Sequence, residues 1–376
     1  MFDTLIICYR IIYLNIKKMQ KNKLEELASE RNHPCVTISM NTHRTHPDTL
    51  QDSIELKKLL HEAKERVVSE FGKRPVTELL EKIDAVEKGI DMNYNLDSLH
   101  IFLSNTTQEI LKSPWPIAED NVQLSDSYAI KPLIKELNRT EEYLILVLSQ
   151  SGVSLFHAIN DAIGKEIRTD GFPFDKKHHY LTDHQKLSEG KLVDDMVREY
   201  FNTVDKAVVK VHNETGMNCI VFCTEDNYTR LVQVADKPSV YMGHVHINYD
   251  DTSKKTLATD AWKIVSAHQK QTRVDAMNEM QEAVGKGNVI TDLSDIYRAV
   301  KEGRGDLLIL QDAFHQAVKM TGEYTFDLVD DITEPGVIDN ITDRIAWDVV
   351  AKNGRSIFTN KDESPSIENI SLKVRY

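Results

Sequence analysis

A polar loop at 169–190 holds the densest group of side chains that could do chemistry. Its candidate residues are Lys176, Lys177, His178, His179, His184 and Gln185. Ammonium and imidazole groups can contact RNA phosphates, so the loop is a candidate RNA contact. Its histidines could also hold a metal ion, but their spacing matches no zinc signature. The alternative to both functions is an ordinary solvated loop.

Two predicted strand ends carry the other candidate residues. Thr42, His43 and Arg44 follow the first strand, at the kind of edge where open α/β sheets bind ligands, and Arg44 suits a phosphate. The alternative is a turn that caps the next helix. His244 and His246 share one face of a later strand, a spacing that metalloenzymes use. The alternative there is a pair of exposed or hydrogen-bonded histidines.

Hydrophobic spacing predicts the elements that must position these residues. Alternating or short apolar runs predict strands at 35–40, 99–103, 143–148, 153–157, 219–223 and 240–246. Helical spacing predicts long helices over about 56–71, 193–208 and 256–284. The stretch 112–127, with two prolines around Trp115, is predicted to be irregular and to pack between domains.

The clearest pattern lies near the C-terminus. One helix begins at Thr291 or Asp292 and ends at Gly303. The apolar run 307–310 is too short for a buried helix and predicts a central parallel strand. A second helix follows, Gly354 ends it, and another short strand begins. This alternation of helices and strands predicts an α/β fold.

Composition limits the function classes. The 376 residues suffice for two or three domains with their own cores. A formal net charge of -13 argues against tight, unspecific nucleic-acid binding. A protein with this net charge can still carry a local basic patch. Cys219 and Cys223 alternate with apolar residues and are predicted to be free core thiols in a reducing cytosol. We predict a cytoplasmic protein with no membrane segment.

The order of these patterns resembles archaeo-eukaryotic peptide-chain release factors and Pelota. Residues 298–308 stand where that family has "ALxxGAV" and "ETLL", and residues 217–224 stand at its "GLVLAG". Residues 36–44 resemble the "S-x-Y-x-P-T-H-R" start of the family's bacterial branch, which also shares Lys131-Pro132-Leu133. The chain is similar to the bacterial archaeo-eukaryotic release factor family, and most of all to its third subfamily.

The resemblance implies three α/β parts. These are an N-terminal α/β domain at 19–139, an RNase-H-like release-factor middle domain at 140–252, and a Pelota-type C-terminal domain at 253–376. Residues 1–18 are apolar and basic without a cleavage site, and we expect them to be a non-native leader before a start at Met19.

The resemblance also implies a partner, namely the ribosome or its tRNA and rRNA, in termination, rescue or translation-directed conflict. Release factors carry Gly-Gly-Gln on the middle-domain loop, where the glycines allow close approach to the peptidyl-tRNA ester. Here Gln185 stands without its glycines, so we expect a binding factor without hydrolysis and without a cofactor. The alternatives are a metal-dependent hydrolase that uses the histidine clusters, and a scaffold that binds a protein partner.

Overall fold

The computed structural model describes residues 16–32, 34–44, 48–91, 95–149, 152–169, 172, 190–246, 253–332, 334, 336–360 and 368–376. Helices and strands alternate along this part of the chain and build several sheets. The predicted α/β fold class is therefore confirmed.

The elements up to residue 139 are α1 (Ile16–Ser29), β1 (Cys35–Asn41), α2 (Thr49–Phe71), α3 (Thr77–Gly89), β2 (Ser98–Leu103), β3 (Gln108–Ser113), β4 (Asn121–Ser125) and α4 (Lys131–Arg139). The next are β5 (Glu142–Ser149), β6 (Gly152–Ile159), β7 (Ala162–Glu166), α5 (Gly190–Thr215), β8 (Cys219–Phe222), α6 (Glu225–Val234), β9 (Tyr241–Val245) and α7 (Lys254–Gly285). The last are β10 (Val289–Ile290), α8 (Leu293–Lys301), β11 (Gly305–Gln311), β12 (Val318–Met320), β13 (Phe326–Leu328), β14 (Val337–Ile338), α9 (Ile341–Ala351), β15 (Arg355–Thr359) and β16 (Ile370–Val374).

The chain forms two compact units. The middle unit contains Thr140–Arg273, and the composite unit contains Gln20–Arg139 together with Val274–Tyr376. The composite unit thus unites the segments that the sequence predicts as separate N-terminal and C-terminal domains. The division into three domains stays a prediction.

The middle unit is built on a five-stranded sheet in the order β7-β6-β5-β8-β9. Strand β6 runs antiparallel to its neighbours, whereas β8 and β9 run parallel to β5. This is the strand order of an RNase-H-like sheet, as expected. Leu144 and Leu146 pack with α5, while the alternate residues Tyr143 and Ile145 pack with the first part of α7. Both faces are therefore buried, which explains the nearly continuous apolar run of β5.

The first sheet of the composite unit is antiparallel, in the order β3-β2-β1-β4. Val36, Ile38 and Met40 of β1 pack against α2 and α3 on one face. Thr37 and Ser39 face the other way, and they are buried as well. The prediction that 112–127 is irregular is wrong, because β4 lies within it and pairs with β1.

The second sheet has the order β10-β16-β11-β15. Strand β11 is central, as predicted, and pairs in parallel with β15, but its other neighbour β16 is antiparallel and was not expected. The predicted helix boundaries are confirmed. Asp292 caps α8 by accepting from the backbone N–H groups of Ser294 and Asp295, and Gly303 ends the helix with a φ of 77°.

A seam of buried carboxylates joins the two sequence segments of the composite unit. Asp339 Oδ2 accepts from Arg66 Nη2 at 2.7 Å and from Leu124 N at 3.0 Å. Asp343 Oδ1 accepts from Lys131 N at 2.8 Å. Burial raises the pKa of both carboxyl groups, and the hydrogen bonds oppose this effect. The seam fixes β4 and α4 against the start of α9.

Among the helices of the described residues, none is long and apolar enough to cross a membrane.

Gly354 provides a test of the packing around β11. An added Cβ would lie 2.6 Å from Val349 Cγ1 and 3.0 Å from Gly305 O, so Gly354→Ala should lower the free energy of unfolding by about 1–3 kcal/mol. Gly285, at the end of α7, has no atom within 4 Å of such a Cβ. Gly285→Ala should therefore be neutral or stabilising. Urea denaturation checks both, and equal effects would contradict the packing account.

Candidate functional site

The predicted residues at the end of β1 are held by local partners. Thr42 Oγ1 donates to Leu96 O at 2.9 Å. The backbone N and ring Nδ1 of His43 donate to the two carboxylate oxygens of Asp52, at 2.8 and 2.7 Å. Asp52 lies in the first turn of α2, so its carboxylate ties the turn to that helix. The side chain of His43 is nevertheless 50% exposed.

Arg44 is bound in the same region. Its Nε and Nη2 atoms donate to the two oxygens of Asp97, both at 2.7 Å, in a bidentate pair. The Arg44 side chain is 53% exposed, so its guanidinium still meets solvent. A phosphate at Arg44 would have to compete with Asp97. The role of this turn in RNA binding stays a prediction.

His244 lies in β9, whereas His246 follows the end of that strand, and the two histidines have different surroundings. His244 Nε2 is 2.9 Å from Glu225 Oε2, and its ring stacks on Tyr228 with centroids 4.4 Å apart. His246 is exposed at the strand end. Within the described ranges, no three His, Cys, Asp or Glu side chains converge as metal ligands. His244 thus contacts α6 through stacking on Tyr228 and through the Glu225 carboxylate.

The loop candidates Lys176, Lys177, His178, His179, His184 and Gln185 lie outside the described residues. The elements on either side of the loop are defined. Thr169 and Phe172 exchange backbone hydrogen bonds of 3.0 and 3.1 Å, and the Phe172 side chain is buried in the core of the middle unit. Helix α5 begins after the loop at Gly190.

The composite unit contains a cavity of about 530 Å³, a volume typical of small-molecule sites. Its floor is the polar face of the first sheet. Ser39 pairs with His100 on one side and with Asn121 on the other, so the three form a row across β2, β1 and β4. Ser39 and His100 are only 2% and 1% exposed.

The cavity's remaining walls come from distant segments. Lys131, Lys135 and Arg139 follow one another at four-residue spacing along α4, and Asp312 comes directly after β11. None of the predicted site residues lines this cavity. The available sequence signal is the alternation of β1, where Thr37 and Ser39 interrupt an apolar strand, but alternation alone normally indicates a solvated face.

Comparison with protein families finds one match within the chain. Residues 142–304 match the family described as "Bacterial archaeo-eukaryotic release factor family 3". The resemblance expected from the sequence, including the third subfamily, is therefore confirmed over that segment. It covers the middle unit's sheet and continues through α8. No curated protein matches the chain.

Solved structures give weaker likenesses. An archaeal translation termination factor, aRF1, is 14% identical, with 96% of this chain and 98% of that chain covered and a TM-score of 0.26. Ribosome-bound archaeal Pelota is 14% identical, with 74% and 72% covered and a TM-score of 0.39. Dom34 of S. cerevisiae is 13% identical, with 74% of each chain covered and a TM-score of 0.38. The family resemblance therefore extends over residues 142–304.

The contact between His43 and Asp52 predicts a raised pKa for His43. The hydrogen bond that His43 donates to the Asp52 carboxylate is the main cause that raises the pKa of His43 above the ordinary value of about 6.5. The contact's contribution to stability is therefore complete below the ordinary pKa and is lost as pH rises through the raised value. Asp52→Asn should lower the His43 pKa, as measured by histidine NMR. Glu55→Gln, on the same helix, is the control, and equal pKa values in the two variants would contradict the assignment.

Proposed function

We propose that the protein is a cytoplasmic factor that acts at the ribosome, because residues 142–304 match bacterial archaeo-eukaryotic release factor family 3. Its process is translation termination, ribosome rescue or a translation-directed conflict, and its partners are the ribosome and its tRNA or rRNA. The family match is the observation that carries this proposal. A release-factor-like sequence over the middle unit favours a translation role over the hydrolase and scaffold alternatives.

The proposed contact is the loop between Phe172 and Gly190. Lys176 and Lys177 supply two positive charges on a chain with a net charge of -13, so a local patch would have to provide the affinity for phosphate. His178, His179, His184 and Gln185 add hydrogen-bonding groups to the same loop. Thr42, His43 and Arg44 are the second proposed contact. In that contact a phosphate would share Arg44 with Asp97.

We propose that the factor binds without hydrolysing peptidyl-tRNA. The family mechanism needs a backbone that approaches the ester closely, which two glycines permit. The residues before Gln185 are Asp183 and His184 in place of the family's two glycines. A factor of this kind would act by occupying the ribosome.

Sedimentation tests the ribosome proposal. Native lysate, with and without stalled ribosomes, is resolved on sucrose gradients for the wild type and for Lys176→Ala/Lys177→Ala, alone or combined with His178→Ala/His179→Ala. The wild type should migrate with ribosomes, and the loop variants should lose about tenfold or more of that association, because charge-assisted contacts are removed.

Lys57→Ala/Lys58→Ala is the matched control, because it removes an adjacent, exposed lysine pair from α2. Its co-migration should equal that of the wild type. Wild-type protein that does not migrate with ribosomes in any gradient, including those with stalled ribosomes, would contradict the proposal. Equal losses in both lysine variants would show a general charge effect and would remove the loop as the contact.

A second prediction concerns hydrolysis. Purified protein added to ribosomes that carry labelled peptidyl-tRNA should release no peptide above background, because the glycines that permit close approach are absent. Gln185→Ala should behave like the wild type. Release that depends on Gln185 would show that this loop catalyses the reaction in another way.

A further inference from the structure

We propose that Lys131 is a reactive lysine that forms an imine with a small aldehyde or ketone in the cavity of the composite unit. Lys131 lines this cavity, whose volume of about 530 Å³ provides space for such a molecule. None of the lining residues belongs to the proposed ribosome contacts. The inference is therefore tested separately from the proposed function.

The amine end of Lys131 lies in the cavity wall. Its Nζ atom donates to the backbone carbonyls of Asp312 and Phe314, at 3.0 and 3.1 Å. Asp312 and Ala313 line the same cavity, so Nζ contacts the segment that forms this side of it. Only 8% of the surface of Lys131 is accessible. A carbonyl compound in the cavity would therefore meet an amine that is largely removed from bulk water.

The contacts of Nζ suit a neutral amine. An ammonium group has three N–H donors and no lone pair, whereas a neutral amine has two N–H donors and one lone pair. The two carbonyls accept two N–H groups of Lys131 and leave a third position on Nζ, which the lone pair can occupy. Both acceptors are uncharged, so neither stabilises the ammonium form as a carboxylate would.

The surroundings of Lys131 favour the same form. Burial lowers the pKa of Lys131, and the nearby ammonium of Lys135 lowers it as well. The carboxylates of Asp343 and Asp312 oppose this effect on the pKa without cancelling it. Lys135 Nζ lies 2.8 Å from Asp312 Oδ2, so that carboxylate already binds another cation. Desolvation beside a second cationic group is one of the ways in which proteins activate a lysine as a nucleophile.

Imine formation needs no further reagent. The lone pair of Nζ attacks the carbonyl carbon of the ligand, and the π electrons of the carbonyl bond move to its oxygen. Both hydrogens of the amine then leave with that oxygen as water, and a C=N bond joins Lys131 to the ligand. A hydride donor reduces this bond to a stable secondary amine, which marks the lysine that reacted.

Lys352 provides a matched reference within the same unit. Its Nζ atom also donates to two backbone carbonyls, those of Val300 and Lys301, at 2.8 and 2.7 Å. It does not belong to the residues that line the cavity. A comparison of Lys131 with Lys352 therefore separates the effect of the cavity and its charges from the effect of two carbonyl contacts.

Reductive trapping on the full chain tests this inference. The protein is incubated at neutral pH with pyridoxal and sodium cyanoborohydride, and peptide mass spectrometry gives the labelling rate of each lysine. Lys131 should be labelled about tenfold or more faster than Lys352, because each unit by which a pKa falls raises the fraction of neutral amine about tenfold. In concentrated urea the two rates should be equal, since the difference depends on the fold.

Lys135→Met tests the role of the neighbouring cation. This substitution should slow the labelling of Lys131 and move its pH profile upward, because the repulsion is lost and the Asp312 carboxylate remains to stabilise the ammonium. Lys352→Arg is the control and should leave the labelling of Lys131 unchanged. The melting temperature shows whether each variant is folded, and the wild-type rates decide the inference even if Lys135→Met is not.

Labelling of Lys131 that is no faster than that of Lys352 in the folded wild type would overturn the inference. A preference for Lys131 that persists in urea would also overturn it, because the cavity would then not be its cause. An unchanged pH profile of Lys131 in folded Lys135→Met would contradict the proposed activation by the neighbouring cation.

Discussion

The buried carboxylates of Asp339 and Asp343 are the constraint on which the composite unit depends. A carboxylate removed from water is stable only when charged or N–H donors replace the lost hydration, and here Arg66, Leu124 and Lys131 provide them. These donors come from three elements that precede the middle unit in sequence, whereas the acceptors follow it. The two segments must therefore fold together, and both of them contribute residues to the cavity walls.

The sequence predicted helices and strands well wherever the buried face of the element determines the spacing of its apolar residues. Helix α8 and strand β11 are confirmed because capping, helical period and a short apolar run agree locally. Strand β4 was missed because Pro114 and Pro116 dominate its neighbourhood, and its strand character comes from pairing with β1, about 85 residues away. Strand β16 depends likewise on β11. Such long-range pairing leaves little local signal.

The candidate site was less predictable for a similar reason. The sequence identifies His43 and Arg44 as potential phosphate contacts, but Asp52 and Asp97, which bind them, come from other elements. The cavity was not predicted at all. In the sequence, Ser39 is one polar residue on what resembles an ordinary half-exposed strand. Only the second layer, brought by α4 and the segment after β11, turns that strand face into a buried floor. The family resemblance was readable chiefly through the order of the motifs.

The free cysteines give the two units separate chemical reporters. Cys219 and Cys223 are buried in the middle unit, and Cys35 is buried in the composite unit. Burial raises the pKa of Cys35 to about 11 and that of Cys223 to about 12, so little reactive thiolate forms while the fold is intact. Alkylation at neutral pH therefore requires local or global opening. The rate at which each thiol is labelled measures how often its own unit opens, so one reagent can compare their stabilities within the same molecule.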